Sequence, residues 1–209
     1  MKGRSIYFLI VMFGIGLSTY AQEKTNVADK MGKKILVAFF SRAGENYSVG
    51  YIEKGNTQIV AEIISEHTGG ELFHIETETP YPDSYKKCIE IAKQEKENNA
   101  RPAIKGDIPV EDYGVVFIGY PNWWGDMPMA VYTFIEKHNW QGKTVIPFCT
   151  HEGSGLASTE KSLGKACNGA ILLEGIAIQG RIAQNAKDRV EQLIMGWLTK
   201  QNLSRYGLK

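Results

Sequence analysis

The stretch that decides the fold runs Ile35-Leu36-Val37-Ala38-Phe39-Phe40-Ser41-Arg42-Ala43-Gly44 and, after Glu45 to Lys54, resumes at Gly55-Asn56-Thr57. Six apolar residues in a row suit a strand covered on both faces. The run stops at a hydroxyl, a cation and a glycine, and the helical spacing of Ile59, Val60, Ile63 and Ile64 begins only past Gly55. A buried strand leading to a helix start is where α/β proteins hold phosphate groups, because free backbone N–H groups and the helix dipole converge there. This turn is split, with hydroxyls in both halves, and it points to a nucleotide-like ligand.

Outward from this turn, apolar runs alternate with helical periods. The runs are Ile35–Phe40, Glu71–Glu76, Tyr113–Tyr120, Thr144–Thr150 and Ala170–Ile178. The first helix is ended by Gly69-Gly70. The second carries Tyr85, Cys88, Ile89 and Ala92, and the third carries Val131, Phe134 and Ile135 with Pro128 in its first turn. The last carries Val190, Leu193, Ile194, Trp197 and Leu198. Parallel strands need helix-length crossovers, so this alternation predicts an α/β domain with a five-stranded parallel sheet and helices on both faces. Pro147 is out of place within an otherwise central strand.

The first residues have a different character. Lys2 and Arg4 precede the apolar run from Ile6 to Leu17, and small residues at Thr19 and Ala21 suit cleavage before Gln22. The expected organisation is a signal peptide over 1–21, a polar leader over 22–33 and one domain over 34–202, with export to the periplasm or medium. An N-terminal anchor that stays on is the alternative. Cleavage would leave 22 basic against 23 acidic side chains, a formal charge of −1. A near-neutral chain offers no electrostatic case for nucleic acid, and the mature chain has no stretch suited to a stable membrane span. Cys88, Cys149 and Cys167 show no zinc or redox spacing. His67, His74 and His138 share no ligand spacing, which favours surface or cap roles over a metal site.

Two further loops carry chemistry. After the third run stand Gly119-Tyr120-Pro121-Asn122-Trp123-Trp124-Gly125-Asp126, where adjacent tryptophans offer an aromatic plane. One of the two is expected to pack beneath the loop, without a sign of which. After the fourth run stand Thr150-His151-Glu152-Gly153-Ser154-Gly155, with glycines that free backbone N–H groups and with hydroxyl donors. No serine nucleophile elbow accompanies His151 and Glu152, which argues against a hydrolase. In the doubly wound strand order 2-1-3-4-5, the loops after strands 1, 3 and 4 surround the ligand-binding switch point, and all three unusual loops follow those strands.

These motifs, with Thr79-Pro80-Tyr81-Pro82-Asp83-Ser84-Tyr85, resemble the bacterial branch of the flavodoxin-like proteins over nearly all of the chain from Lys33. The resemblance implies the flavodoxin-like order 2-1-3-4-5 and non-covalent FMN. It places Ser41, Arg42, Asn56 and Thr57 at the phosphate. Pro121, Asn122, Trp123, Trp124 and Gly125 would border the isoalloxazine, and Thr150, Glu152, Gly153, Ser154 and Gly155 its pyrimidine edge and opposite side. No metal is implied and no catalytic residue is singled out. Three roles stay open: an electron carrier with a redox partner protein, a reduced-nicotinamide-dependent quinone reductase, and a non-catalytic envelope module. The Glu45 to Lys54 insertion departs from the short phosphate loop of flavodoxins. It is either a hairpin or lid offering Asn46, Tyr47, Tyr51 and Ile52 to a ligand, or a tolerated surface insertion.

Overall fold

The structure, a computed structural model, describes residues 34–203. The expected signal peptide and polar leader therefore lie outside the described residues.

The strands are β1 (Ile35–Phe39), β2 (Gly44–Asn46), β3 (Gly50–Ile52), β4 (Glu71–His74), β5 (Val115–Pro121), β6 (Thr144–His151), β7 (Ile171–Leu172) and β8 (Ile176–Gln179). The helices are α1 (Asn56–Thr68), α2 (Tyr85–Glu97), α3 (Met129–Glu136), α4 (Thr159–Ala166), α5 (Gly180–Asn185) and α6 (Lys187–Gln201). The main sheet runs β4-β1-β5-β6-β7, with β8 also pairing to β6, and every pairing in it is parallel. Leaving aside the small β2–β3 hairpin, this is the expected order 2-1-3-4-5.

Period-two alternation along β1 divides the core. Leu36, Ala38 and Phe40 enter the layer that contains α3 and α4, whereas Val37 and Phe39 enter the layer of α1, α5 and α6. Gly119 in β5 has a packing reason: a Cβ there would collide with the Phe148 ring across the strand pair. The sheet is thus covered on both faces, and the ends of β1, β5 and β6 open toward the same side.

The fifth strand position differs from the continuous run expected over Ala170–Ile178. It is filled by β7 beside Thr144 and Val145 and by β8 beside Phe148 to His151, with a break between them. The break faces Pro147, which has no N–H to give a ladder. A Cβ on Gly175 would lie 2.8 Å from Pro147 Cγ, so proline and glycine pack closely where the pairing lapses. The helix α4 has no periodic signal in the sequence, because only Thr159 and Leu163 of it are buried. Among the described residues no helix is long and apolar enough to cross a membrane.

Candidate functional site

The two halves of the split turn meet in space. Helix α1 has Gly55 as its N-cap, which has no side chain to satisfy the first amides. Ser41 supplies the cap from the end of β1: its Oγ accepts a hydrogen bond from the Gln58 amide at 3.0 Å. The absence of a Cβ at Gly55 makes this approach possible. A Cβ there would collide with Ser41 Oγ and lie 2.7 and 2.8 Å from the Arg42 carbonyl oxygen and amide nitrogen. Gly55 has φ −65°, so the requirement is for space and not for a special backbone conformation.

Behind this cap, Thr57 Oγ1 and Thr150 Oγ1 are 2.7 Å apart and both residues are buried, which ties α1 to the end of β6. Asn56 Oδ1 accepts from Gln184 Nε2 of α5 at 2.7 Å. A Cβ on Gly180 would collide with Asn56 Nδ2 and lie 2.8 Å from Glu152 Oε1, so these two side chains converge over that glycine. Glu152 Oε1 accepts from the Arg181 amide at 2.7 Å.

Asn122 joins the other two loops. Its amide donates to the Thr150 carbonyl at 2.8 Å, its Nδ2 donates to the Gly155 carbonyl at 3.0 Å, and its Oδ1 accepts from the Gly125 amide at 3.0 Å. Trp124 and Gly125 form the tip of a tight turn closed by reciprocal Trp123–Asp126 backbone bonds, and both have positive φ. Positive φ at a tryptophan costs about 1 kcal/mol or more.

The turn separates the tryptophans. Trp123 packs edge-on against Phe40 and Tyr81, with ring centroids 5.3 and 5.1 Å away, and is the one beneath the loop. Trp124 is half exposed, donates from Nε1 to the Ile89 carbonyl at 3.1 Å, and lies under Lys93 Nζ at 5.8 Å.

These loops enclose a cleft of about 380 Å³. Of the residues expected at a ligand, Asn56, Pro121, Asn122, Trp123, Trp124, Thr150, Glu152, Gly153 and Ser154 line it. Ser41, Thr57, Gly125 and Gly155 stand behind the lining and hold it in place through the bonds above. The Arg42 side chain is taken up away from this cap. Its guanidinium donates to the carbonyls of Glu45 at 2.6 Å, Pro82 at 2.5 Å and Asp83 at 2.6 Å, and only its backbone faces Gly55.

The cleft also takes residues that sequence reasoning did not assign to it. Tyr85, Ile89 and Ala92 of α2 form one wall. Their helical spacing was visible, but an apolar stripe facing a cleft reads the same as one facing a core. His151 lines it too. Its Nδ1 accepts from the Gly153 amide at 2.9 Å, and burial holds its pKa below the usual 6.5. This favours a neutral ring with its proton on Nε2.

The other titratable groups carry structural duties. Burial pushes the Cys88 thiol up to about 11 and the Cys149 thiol up to about 12, and raises Cys167 as well, so these free, buried cysteines remain protonated at neutral pH. His74 stacks on Phe39 at 4.7 Å and His67 faces Glu191 at 3.0 Å. The His138 side chain is buried just past α3, 3.0 Å from Asp107, and its amide donates to the Ile135 carbonyl at the end of that helix, so of the expected surface or cap roles it does not take the surface one. Among the described residues no cluster of His, Cys, Asp or Glu could hold a metal ion.

Residues 34–193 match the sequence model described as Flavodoxin. The chain belongs to the flavodoxin family. Among solved structures, this flavodoxin-family protein is similar to a protein of Bacteroides eggerthii provisionally named a flavoprotein, at 31% identity over 78% of this chain and 96% of that one, with a TM-score of 0.62. A Bacteroides uniformis protein given the same provisional name is similar at 26% identity over 78% and 99% of the two chains, with a TM-score of 0.60. A flavoprotein of Lactobacillus acidophilus, crystallised in complex with FMN, shares the fold at 21% identity over 69% and 93%, with a TM-score of 0.56. No curated protein matches the sequence.

Proposed function

We propose that the cleft holds FMN non-covalently and that the protein serves electron transfer or flavin-dependent redox chemistry. The observation that carries this reading is the closure of Ser41 onto the Gln58 amide. It gathers a hydroxyl, the Gly55 gap and the first amides of α1 at one end of a cleft whose other side presents Trp124. A helix N-terminus built this way suits a phosphate dianion. The residues present fit the group: Asn56 and the start of α1 would meet the phosphate, with Ser41 and Thr57 bracing that turn from behind the lining and Arg42 contributing through its backbone. Pro121, Asn122, Trp123, Trp124 and Gly125 would border the ring, and Thr150, Glu152, Gly153, Ser154 and Gly155 its pyrimidine side. FMN, when bound, supplies one- and two-electron chemistry, and the chain supplies binding, orientation and local charge. The FMN complex of the Lactobacillus relative supports FMN as the ligand.

The absorbance spectrum of the purified protein tests it. A yellow protein that releases one FMN per chain on denaturation is expected; a colourless protein that also refuses added FMN would overturn it. A second reading, turnover of a quinone with a reduced nicotinamide, is favoured by the exposed Tyr47 beside the cleft. Nicotinamide oxidation by the isolated protein with a quinone supports that reading, and strict need for a partner reductase supports the carrier. Export belongs to the proposal as well, on the strength of Lys2, Arg4 and the apolar run before Gln22. The mass of the mature N-terminus from the native host tests it, with Gln22 expected first.

A further inference from the structure

The turn after β1 is tied down residue by residue. The Phe40 amide donates to the Gly119 carbonyl at 2.9 Å, Asn46 Nδ2 of the β2–β3 hairpin donates to the Arg42 carbonyl at 3.4 Å, and the Arg42 guanidinium is taken up as described above. The Ser41 carbonyl is held by His74, the last residue of β4. His74 Nε2 lies 3.3 Å from that oxygen, which can only accept, so the ring donates. The ring is itself fixed. His74 and Phe39 are register partners across β1 and β4, and their rings stack at 4.7 Å with planes 9° apart.

A recess of about 170 Å³ lies behind the turn. Its lining includes Ser41, Arg42, His74, Glu76 and Lys105, and it shares no residue with the cleft. Glu76 Oε1 stands 4.0 Å from His74 Nδ1, and Glu76 Oε2 stands 3.9 Å from Lys105 Nζ, so the other edge of the ring faces charged groups. With a recess at its back, the Ser41 carbonyl depends on the His74 bond for its direction. That direction matters because the Ser41 carbonyl and the Arg42 N–H belong to one planar trans peptide and point opposite ways. Holding the carbonyl toward β4 turns the Arg42 N–H away from β4. The Arg42 nitrogen lies against Gly55, 2.8 Å from where a Cβ would stand, and its N–H has no acceptor among the described residues.

We propose that His74 is a positioning residue for the phosphate of FMN: by holding the Ser41 carbonyl, it sets the Ser41–Arg42 peptide so that the Arg42 N–H serves the cradle beside Gly55. This assignment rests on the FMN reading above and extends it to a residue outside the cleft lining. The role requires a proton on Nε2 and does not require a charged ring.

Fluorescence titration of the cofactor-free protein with FMN and with riboflavin tests the assignment. His74→Phe keeps a ring to stack on Phe39 and removes the donor; it should weaken FMN about tenfold and leave riboflavin within about threefold of wild type. His74→Gln returns a donor at the Nε2 position and should restore FMN affinity to within about threefold. Unchanged FMN affinity in His74→Phe, equal losses for FMN and riboflavin, or no recovery in His74→Gln overturns the assignment. Nitrogen NMR of the wild-type imidazole reads the same bond without a substitution: a protonated Nε2 is expected, and an unprotonated one overturns the assignment. Wild-type protein that binds no FMN, or binds it no better than riboflavin, overturns the phosphate reading and this assignment together. A wild-type preference for FMN that His74→Phe leaves intact overturns this assignment alone.

Discussion

The Ser41 hydroxyl caps helix α1 through the Gln58 amide, a bond between residues 17 positions apart. An N-cap ordinarily comes from the residue at the helix start, and here that residue is Gly55. One hydroxyl therefore joins β1 to α1, with an inserted hairpin between them. Ser41→Ala should cost the cofactor-free protein about 1 kcal/mol, the usual worth of a capping side chain. Urea unfolding of wild type and variant measures this, and equal midpoints would show that the cap contributes nothing.

Gly55→Ala tests the space requirement separately. Its backbone is in an ordinary region, so any loss comes from the Cβ meeting Ser41 and the Arg42 backbone. The expected outcome is at least about a tenfold weaker FMN affinity, equivalent to about 1.4 kcal/mol, because the cradle must open to admit the methyl group. Flavin fluorescence quenching on titration reads this directly.

The Thr57–Thr150 pair lends itself to a double-mutant cycle. Thr57→Val leaves the Thr150 hydroxyl buried without that partner and should cost about 1–3 kcal/mol, while Thr57→Val combined with Thr150→Val should recover part of the loss. Strictly additive losses in urea unfolding would mean that the hydroxyls do not interact.

His151 gives a pH dependence with a definite sign. Burial lowers its pKa in the folded protein, so the unfolded chain takes up the proton more readily. The contribution to stability is full above the usual 6.5 and declines as the pH falls through that value toward the lowered folded pKa. Protonation also converts Nδ1 from acceptor to donor, facing the Gly153 N–H. His151→Gln should therefore show a shallower loss of stability below neutral pH than wild type, measured as urea midpoint against pH.

Much of this architecture is legible in the residues themselves. The runs that become β1, β5 and β6 are continuously apolar because both faces of each are covered, and the Gly69 stop of α1 follows from a positive φ that glycine adopts freely. What was not legible depends on contacts distant in sequence. The break between β7 and β8 faces Pro147 on another strand, and α4 buries too narrow a face to show a period. The Arg42 side chain turns to carbonyls of the hairpin and of Pro82 and Asp83, and no local pattern signals that choice. Similarly, which tryptophan packs inward is decided by the Trp124-Gly125 turn and by the positions of Phe40 and Tyr81.

The most direct test of the rejoined cradle compares FMN with riboflavin, which lacks the phosphate, by fluorescence titration of the cofactor-free protein. The account predicts one FMN per chain and riboflavin binding weaker by at least about a hundredfold, equivalent to about 2.7 kcal/mol, with Ser41→Ala narrowing the gap. Equal affinity for the two, or no binding of either, would contradict it.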